Sequence, residues 1–228
     1  MIFGSPGSGK GTISKKIVKD FKFNHVSTGK AFSCGVVASL CAIMCHTFVG
    51  DLLRQHVLSG TPIGLTVKSI MDKGELVPDK MVLDMLLDFT NTNTGNVLVD
   101  GYPRTIAQAQ SLQSHVPIDA VVALDVPHQT IIDRLSGRWI HPASGRTYAY
   151  DYNPPNVLGK YDAAGEDLIQ REDDKPASIA ARLEAYENLT MPLKKFYEEQ
   201  GLLTVFSGTE SDVIYPEVKK FLSTTMSK

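Results

Sequence analysis

The chain has 228 residues, 43% of them apolar and 21% charged, with a net charge of −2. That length can bury a core as one domain with insertions or as two small ones, and the near-neutral balance makes no electrostatic case for nucleic acid as a partner. The three cysteines, Cys34, Cys41 and Cys45, form no disulfide framework, and none pairs with a histidine at zinc-like spacing.

The start, Met1-Ile-Phe3, is apolar and reads as a strand, with neither a cleavable signal nor an amphipathic presequence. Three residues are short for a central strand, so the expectation is of a truncated start. Gly4-Ser-Pro-Gly-Ser-Gly-Lys-Gly-Thr12 follows. Closely spaced glycines let successive backbone N–H groups converge on an anion, Lys10 adds a charge that reaches outer phosphates, and a helix starting near Thr12 presents its positive end. The periodic ISKKIVKDF behind it supplies the strand–loop–helix setting, so the run reads as a phosphate loop rather than a glycine-rich turn. His25 to Thr28 is a further short strand candidate. Ala31 to Val49 then carries no charge apart from His46 and holds all three cysteines, and Asp51 reads as the N-cap of a helix.

Val97-Leu-Val-Asp100 reads as a buried strand ending in an acid, followed by Gly101-Tyr-Pro-Arg104. Asp100 alone fits a strand cap; beside a phosphate loop it reads as a support for Mg²⁺. Asp119 to Asp125 and Leu202 to Phe206 are apolar strand candidates, with helical patterns at Ile106 to Ser114, Gln129 to Ser136 and Ile179 to Gln200. Strands alternating with helices predict an α/β fold with an open, mostly parallel sheet and ligands at the strand C-termini. Arg104, Arg134, Arg138, Arg171 and Arg182 stand at element edges; singly each reads as a surface charge, and together they suit phosphoryl transfer.

GSPGSGKGT, STG, DLLR, DGYPRT, GRWIHPASGRTY, QREDDKP and SGTES together resemble an adenylate kinase, a nucleoside monophosphate kinase, over nearly the whole chain except Lys30 to Gly50. The Trp139–Arg146 run, with the FNPP-like Tyr152-Asn-Pro-Pro155, is most similar to the mitochondrial-matrix branch that uses GTP with AMP. The resemblance implies a P-loop nucleoside triphosphate hydrolase-like fold, a central parallel five-stranded sheet flanked by helices. It implies a core of residues 1–27, 97–137 and 175–228, a monophosphate-binding region of 28–96, and a lid of 138–174. It places Gly7, Ser8, Gly9, Lys10, Gly11 and Thr12 on the donor triphosphate, with Arg138, Thr147, Tyr148 and Thr209. It places Thr28, Arg54, Glu75, Leu76, Val77, Gly101, Tyr102, Pro103, Arg104, Gln108, Arg171 and Arg182 on AMP. Lys10, Arg104, Arg134, Arg138, Arg171 and Arg182 are the implied catalytic set, with Arg171 and Arg182 swinging in with the lid. Mg²⁺ is the implied cofactor, held near Asp100 through water, and GTP or ATP and AMP are the implied ligands of a monomer with no membrane partner. The mitochondrial matrix is the implied location, with the cytoplasm as alternative.

Some relatives staple this lid with zinc. Here the lid has no cysteine and His141 is its one good soft ligand, so no zinc is expected. A hydrogen-bonded network of His141, Ser144, Thr147, Asp173 and Asp174 is expected instead, with His141 as a plain loop histidine the alternative. Glu75 stands where relatives often carry lysine, with little effect expected. A pyrimidine monophosphate kinase is the rival enzyme, disfavoured by the long lid. A nucleotide-binding protein without turnover is the rival of another class.

The 19 residues Ala31 to Val49 are long enough to span a bilayer, but a single span would part Thr28 from Arg54, which the resemblance places on one AMP. A cysteine metal or redox site fits poorly, since no C-x-x-C occurs. Removing Lys30 to Gly50, 21 residues, restores HVSTGDLLRQ, the family's pattern. Gly29-Lys30 back-translates to a GTAA donor-like site, and Phe48-Val49-Gly50 to a pyrimidine run with AG. The hypothesis is that residues 30–50 are a retained in-frame intron or a gene-prediction error. Transcript sequencing is expected to find a message without them; the long message alone, with no intron boundary, contradicts the hypothesis.

Overall fold

The structure is a computed structural model that describes residues 1–27, 65–66, 78–92, 95–141, 146–170 and 174–227. Strands β1 (Ile2–Gly4), β2 (Asn24–Ser27), β3 (Val97–Asp100) and β4 (Val121–Asp125) are followed by a lid hairpin of β5 (Arg138–Ile140) and β6 (Thr147–Ala149), and by β7 (Leu203–Ser207). Helices of the described residues are α1 (Lys10–Phe21), α2 (Asp79–Thr92), α3 (Ile106–Gln113), α4 (His128–Ser136), α5 (Pro176–Ala185), α6 (Pro192–Glu198) and α7 (Ser211–Met226).

The main sheet has five strands in the order β2-β3-β1-β4-β7, every pair parallel. The central strands are nearly continuous apolar runs because both their faces are covered. Successive side chains alternate between those faces. Ile2, Val122 and Leu124 pack with Ile13 and Ile17 of α1 and Ile214, Val218 and Leu222 of α7. Phe3, Val121 and Ala123 pack on the other face with Ala109 of α3 and Leu193 and Tyr197 of α6. A further cluster joins Leu83, Leu86 and Phe89 of α2 to Val99, Tyr102 and Leu112. In the lid, β5 and β6 are antiparallel, with Trp139 opposite Tyr148 and a bridge from Ile140 to Ile169.

The expected single helix from Ile179 to Gln200 is corrected. It begins at Pro176 and divides into α5, a π-helical turn over Tyr186–Thr190, and α6. Pro192 is the cause. It has no N–H to donate and its ring crowds the carbonyl four residues back, so the chain widens before it and the next helix takes the proline in its first turn. The widening is visible in the Met191 N–H, which donates to the Tyr186 carbonyl five residues back at 2.9 Å. The helix expected near Thr12 starts at Lys10, and the strand expected at 25–28 runs over Asn24–Ser27. The charge-free stretch 30–50 and the helix expected from Asp51 lie outside the described residues. Among those described, no helix is long and apolar enough to cross a membrane.

Ile17 is fully buried between the sheet and α7. Ile17→Ala is expected to destabilise the protein by about 2–5 kcal/mol in urea unfolding. A loss under about 1 kcal/mol would contradict this packing.

Candidate active site

The phosphate loop begins where β1 ends, at the C-terminal edge of the parallel sheet. Gly7 and Gly9 have φ of +81° and +86°, the left-handed region that favours glycine. A Cβ on Gly9 would lie 2.5 Å from the Ser211 Oγ, so a side chain there would force that hydroxyl to turn away besides straining the left-handed backbone. The Ser8 hydroxyl is buried and has no hydrogen-bond partner among the described residues. A buried hydroxyl without a partner costs free energy, which an oxygen-rich ligand over the loop would relieve.

Lys10 opens α1 and folds back, its Nζ donating to the Gly4 and Ser5 carbonyls at 2.8 Å each. Burial pushes its ammonium down to about 8; Asp100 opposes the shift, and Arg104, Arg182 and Arg138 add to it. The charges of these three arginines, expected separately from the sequence, are all felt at Lys10. Asp100 is buried at the end of β3, where the Ser14 hydroxyl of α1 donates to its Oδ2 at 3.0 Å.

The segment after β3 carries the second group. The Tyr102–Pro103 peptide is cis, and the Tyr102 ring is buried, its hydroxyl pushed up to about 12 mainly by desolvation. The Arg104 Nε donates to the Gly101 carbonyl at 2.9 Å, while its backbone N–H donates to the Gln108 Oε1 at 2.7 Å. The Gln108 Nε2 in turn donates to Asp79 at 2.7 Å, tying this segment to the first turn of α2. Thr105 caps α3 by accepting from the Gln108 N–H at 3.2 Å.

Arg134, in the last turn of α4, reaches the other side of the loop, donating to the Gly7 carbonyl at 3.4 Å and to the Thr209 carbonyl. Arg138 opens β5 and makes a two-pronged ion pair with Asp174, its Nε donating to Oδ2 at 2.7 Å. Arg182 of α5 donates to the same carboxylate at 3.4 Å. Asp174 is thus a buried anion under two lid-side arginines.

That corrects the Asp174 part of the expected lid network, of which Ser144 and Asp173 lie outside the described residues. His141 is buried, but its Nε2 faces Glu166 and its ring stacks on Tyr161 at 4.0 Å, while Asp174 belongs to the arginines. Thr147 instead accepts at its carbonyl from Asn153 at 3.1 Å. The Tyr148 ring is buried inside the lid with its hydroxyl donating to Asp162 at 3.0 Å, so what it can offer a donor nucleotide is its backbone. Thr28, Arg54, Glu75, Leu76, Val77, Ser144, Arg171 and Asp173 lie outside the described residues. Sequence reasoning missed Ser14, Ser211 and the role of Asp174. Ser14 had a usable signal: it stands four residues after Lys10, one helical turn on, and so shares a face with it.

Residues 34–202 match the family model described as Adenylate kinase, and residues 3–39 match the one described as AAA domain. The two matches change over at 34–39, inside the stretch 30–50. The chain is 42% identical over 224 residues to a GTP:AMP phosphotransferase, mitochondrial, of Drosophila melanogaster, covering 98% of this chain and 94% of that one. It is 37% identical to an adenylate kinase of Chloroherpeton thalassium and 37% identical to one of Shouchella clausii, in each case over 98% of this chain and 97% of the relative.

Lys10 gives the site a pH signature. Without ligand its ammonium loses its proton at about 8, against 10.5 for an ordinary lysine. A triphosphate in the loop favours the charged form and restores the proton, so binding takes up protons between those two values. Calorimetry at about pH 9 in buffers of different ionisation enthalpy is expected to show uptake approaching one proton, fading toward pH 7 and absent in Lys10→Met. Proton-neutral binding at pH 9 would contradict it.

Proposed function

The chain belongs to the adenylate kinase family, and from that premise we propose that it transfers the γ-phosphoryl group of a nucleoside triphosphate, GTP or ATP, reversibly to AMP. The observation that carries the proposal is the phosphate loop at the edge of the sheet, with Gly7 and Gly9 left-handed and Lys10 folded onto the Gly4 and Ser5 carbonyls, together with Arg138 and Arg182 held on one carboxylate, Asp174.

Phosphoryl transfer asks a protein chiefly to align donor and acceptor and to neutralise charge on the moving group. In this reading the loop Gly7 to Thr12 holds the donor phosphates by backbone N–H groups, and Lys10 leaves the Gly4 and Ser5 carbonyls to follow the transferred phosphoryl group. Arg104, set by Gln108 and Gly101, meets the AMP phosphate from the strand β3 side. Arg138 and Arg182 approach from the lid side, pre-aimed by Asp174. The acceptor attacks in line, with no covalent enzyme intermediate, and lid closure excludes water that would hydrolyse the triphosphate.

The hard oxygen donors at the loop, the Asp100 carboxylate and the partnerless Ser8 hydroxyl, fit Mg²⁺ carried by the nucleotide. Bound there, the ion would neutralise phosphate charge. Asp100 would hold it through water, with Ser14 fixing the carboxylate's orientation. Donor preference is read as GTP and location as the mitochondrial matrix, because the Drosophila relative is more identical to this chain than either bacterial relative. The protein is read as a monomer.

A coupled assay with GTP or ATP as donor and AMP, UMP or CMP as acceptor tests the reading. Turnover is expected with AMP, and Arg104→Ala is expected to lower kcat/KM for AMP by about 100-fold or more. Removing residues 30–50 is expected to lower the Michaelis constant for AMP more than that for the donor. No turnover with AMP in either form, or a preference for UMP or CMP, overturns it.

A further inference from the structure

We propose that Tyr152, Asp212 and Lys16 form a latch that ties the lid to the core beside the donor site, making them positioning residues for the triphosphate. The proposal rests on the kinase reading above.

Tyr152 sits on a tight turn just after β6, where the Tyr152 and Asn153 N–H groups donate to the Ala149 carbonyl at 3.1 and 2.8 Å. Its hydroxyl leaves the lid and donates to the Asp212 Oδ2 at 2.7 Å. Asp212 lies in the first turn of α7, and its Oδ1 accepts from the Lys16 Nζ of α1. One carboxylate therefore joins the lid, the helix that carries the phosphate loop, and the helix whose first residue, Ser211, closes on Gly9. Among the described residues, Arg182 of α5 donates to Asp174 at 3.4 Å and the Gln170 Nε2 to the Ser136 carbonyl at 2.7 Å, both near the lid's C-terminal end. Tyr152 reaches a different part of the core.

The surroundings suit a contact that forms and breaks. Both side chains are substantially exposed, Tyr152 at 57% and Asp212 at 57% of its side chain, so neither is fixed by packing. Lys16 and Tyr152 together hold the Asp212 carboxyl below the usual carboxylate range, so it is an ionised acceptor at neutral pH. A phenol donating to a carboxylate is among the stronger neutral-to-charged hydrogen bonds, while exposure keeps its net effect small. A lid equilibrium needs no more. A contact made only in the closed state shifts that equilibrium by its own factor, and donor affinity follows.

Phenylalanine keeps the Tyr152 ring and drops the hydroxyl, which isolates the latch. Tyr152→Phe, Asp212→Ala and the double variant are compared with the unmodified protein for binding of the imido analogues of GTP and ATP by calorimetry, alongside steady-state kinetics and thermal unfolding. Each single change is expected to weaken analogue binding about two- to fivefold. The double is expected to do no worse than the weaker-binding single, with the AMP Michaelis constant unchanged and kcat not reduced. Unchanged analogue binding in Tyr152→Phe, multiplied effects in the double, or an equal rise in the AMP Michaelis constant overturns the latch. Turnover by the unmodified protein tests the kinase reading separately, so an active enzyme whose variants bind the analogues normally rejects the latch alone. An inactive one rejects the kinase reading, and analogue binding still decides on the latch.

Discussion

Lys10, Arg104, Arg138 and Arg182 gather around one place with two buried carboxylates, Asp100 and Asp174, to hold them. Like charges brought together out of water repel, and each loses hydration. The depressed ammonium of Lys10 and the lowered Arg104 guanidinium record that cost. Asp174 takes both lid-side arginines, Asp100 offsets the positive field at Lys10, and the loop's own carbonyls occupy the Lys10 donors. The arrangement is satisfied without a ligand, yet each of those partners can be exchanged for a phosphate oxygen. A polyanion entering the site meets donors already aimed, which lowers the reorganisation needed at the moment of transfer.

The parallel sheet is what makes such a gathering possible. All five strands run the same way, so their C-terminal ends deliver the phosphate loop after β1, Asp100 and Arg104 after β3, and Thr209 after β7 to one edge. Register sharpens the point. Ile2 aligns with both Asp100 and Val122, so β3 ends level with the start of β1, while β1, β4 and β7 run on together, Gly4 with Leu124 and Leu124 with Phe206. The alternation that sends Ile2 to α7 and Phe3 to α6 locks that edge from both faces. The segment after α4 adds what the sheet cannot, a second surface bearing Arg138 and Tyr152.

Much of this was legible in the residues, and the illegible parts have physical reasons. Apolar runs such as Val97-Leu-Val and Val121-Val-Ala-Leu announce buried parallel strands, and the glycines and Lys10 of the phosphate loop carry their chemistry on their face. Helix α7 escaped notice because Pro216 stands inside it, and the break at Pro192 was overlooked because apolar periodicity continues through it. Convergence of the arginines was not readable from the residues and came by resemblance; spacing along a chain does not say which guanidinium meets which carboxylate. Asp173 and Asp174 show why. The two acids stand side by side in the sequence, and only the fold assigns Asp174 to Arg138 rather than to the lid histidine. Ser211 acts through a glycine that has no side chain to pattern.

The chain leaves β2 after Ser27, which aligns with Asp100, so the backbone exits at the level of the site itself. Residue 30 follows three positions later. Whatever precedes or follows that point must return with the Arg54 side chain in reach of the same edge if the resemblance holds. Closing a longer loop costs little, since the entropy grows only with the logarithm of its length, so the sheet has no reason to fail. Geometry at the acceptor is another matter, because a small misplacement of a phosphate-binding arginine costs far more in rate than in stability. In the proposed reading the donor half, from the loop through Arg134, Arg138 and Tyr152, is built from segments that do not depend on that join. A chain with residues 30–50 in place is therefore expected to keep its donor half and lose quality in its acceptor half, which is why the two Michaelis constants, rather than stability, discriminate the two forms.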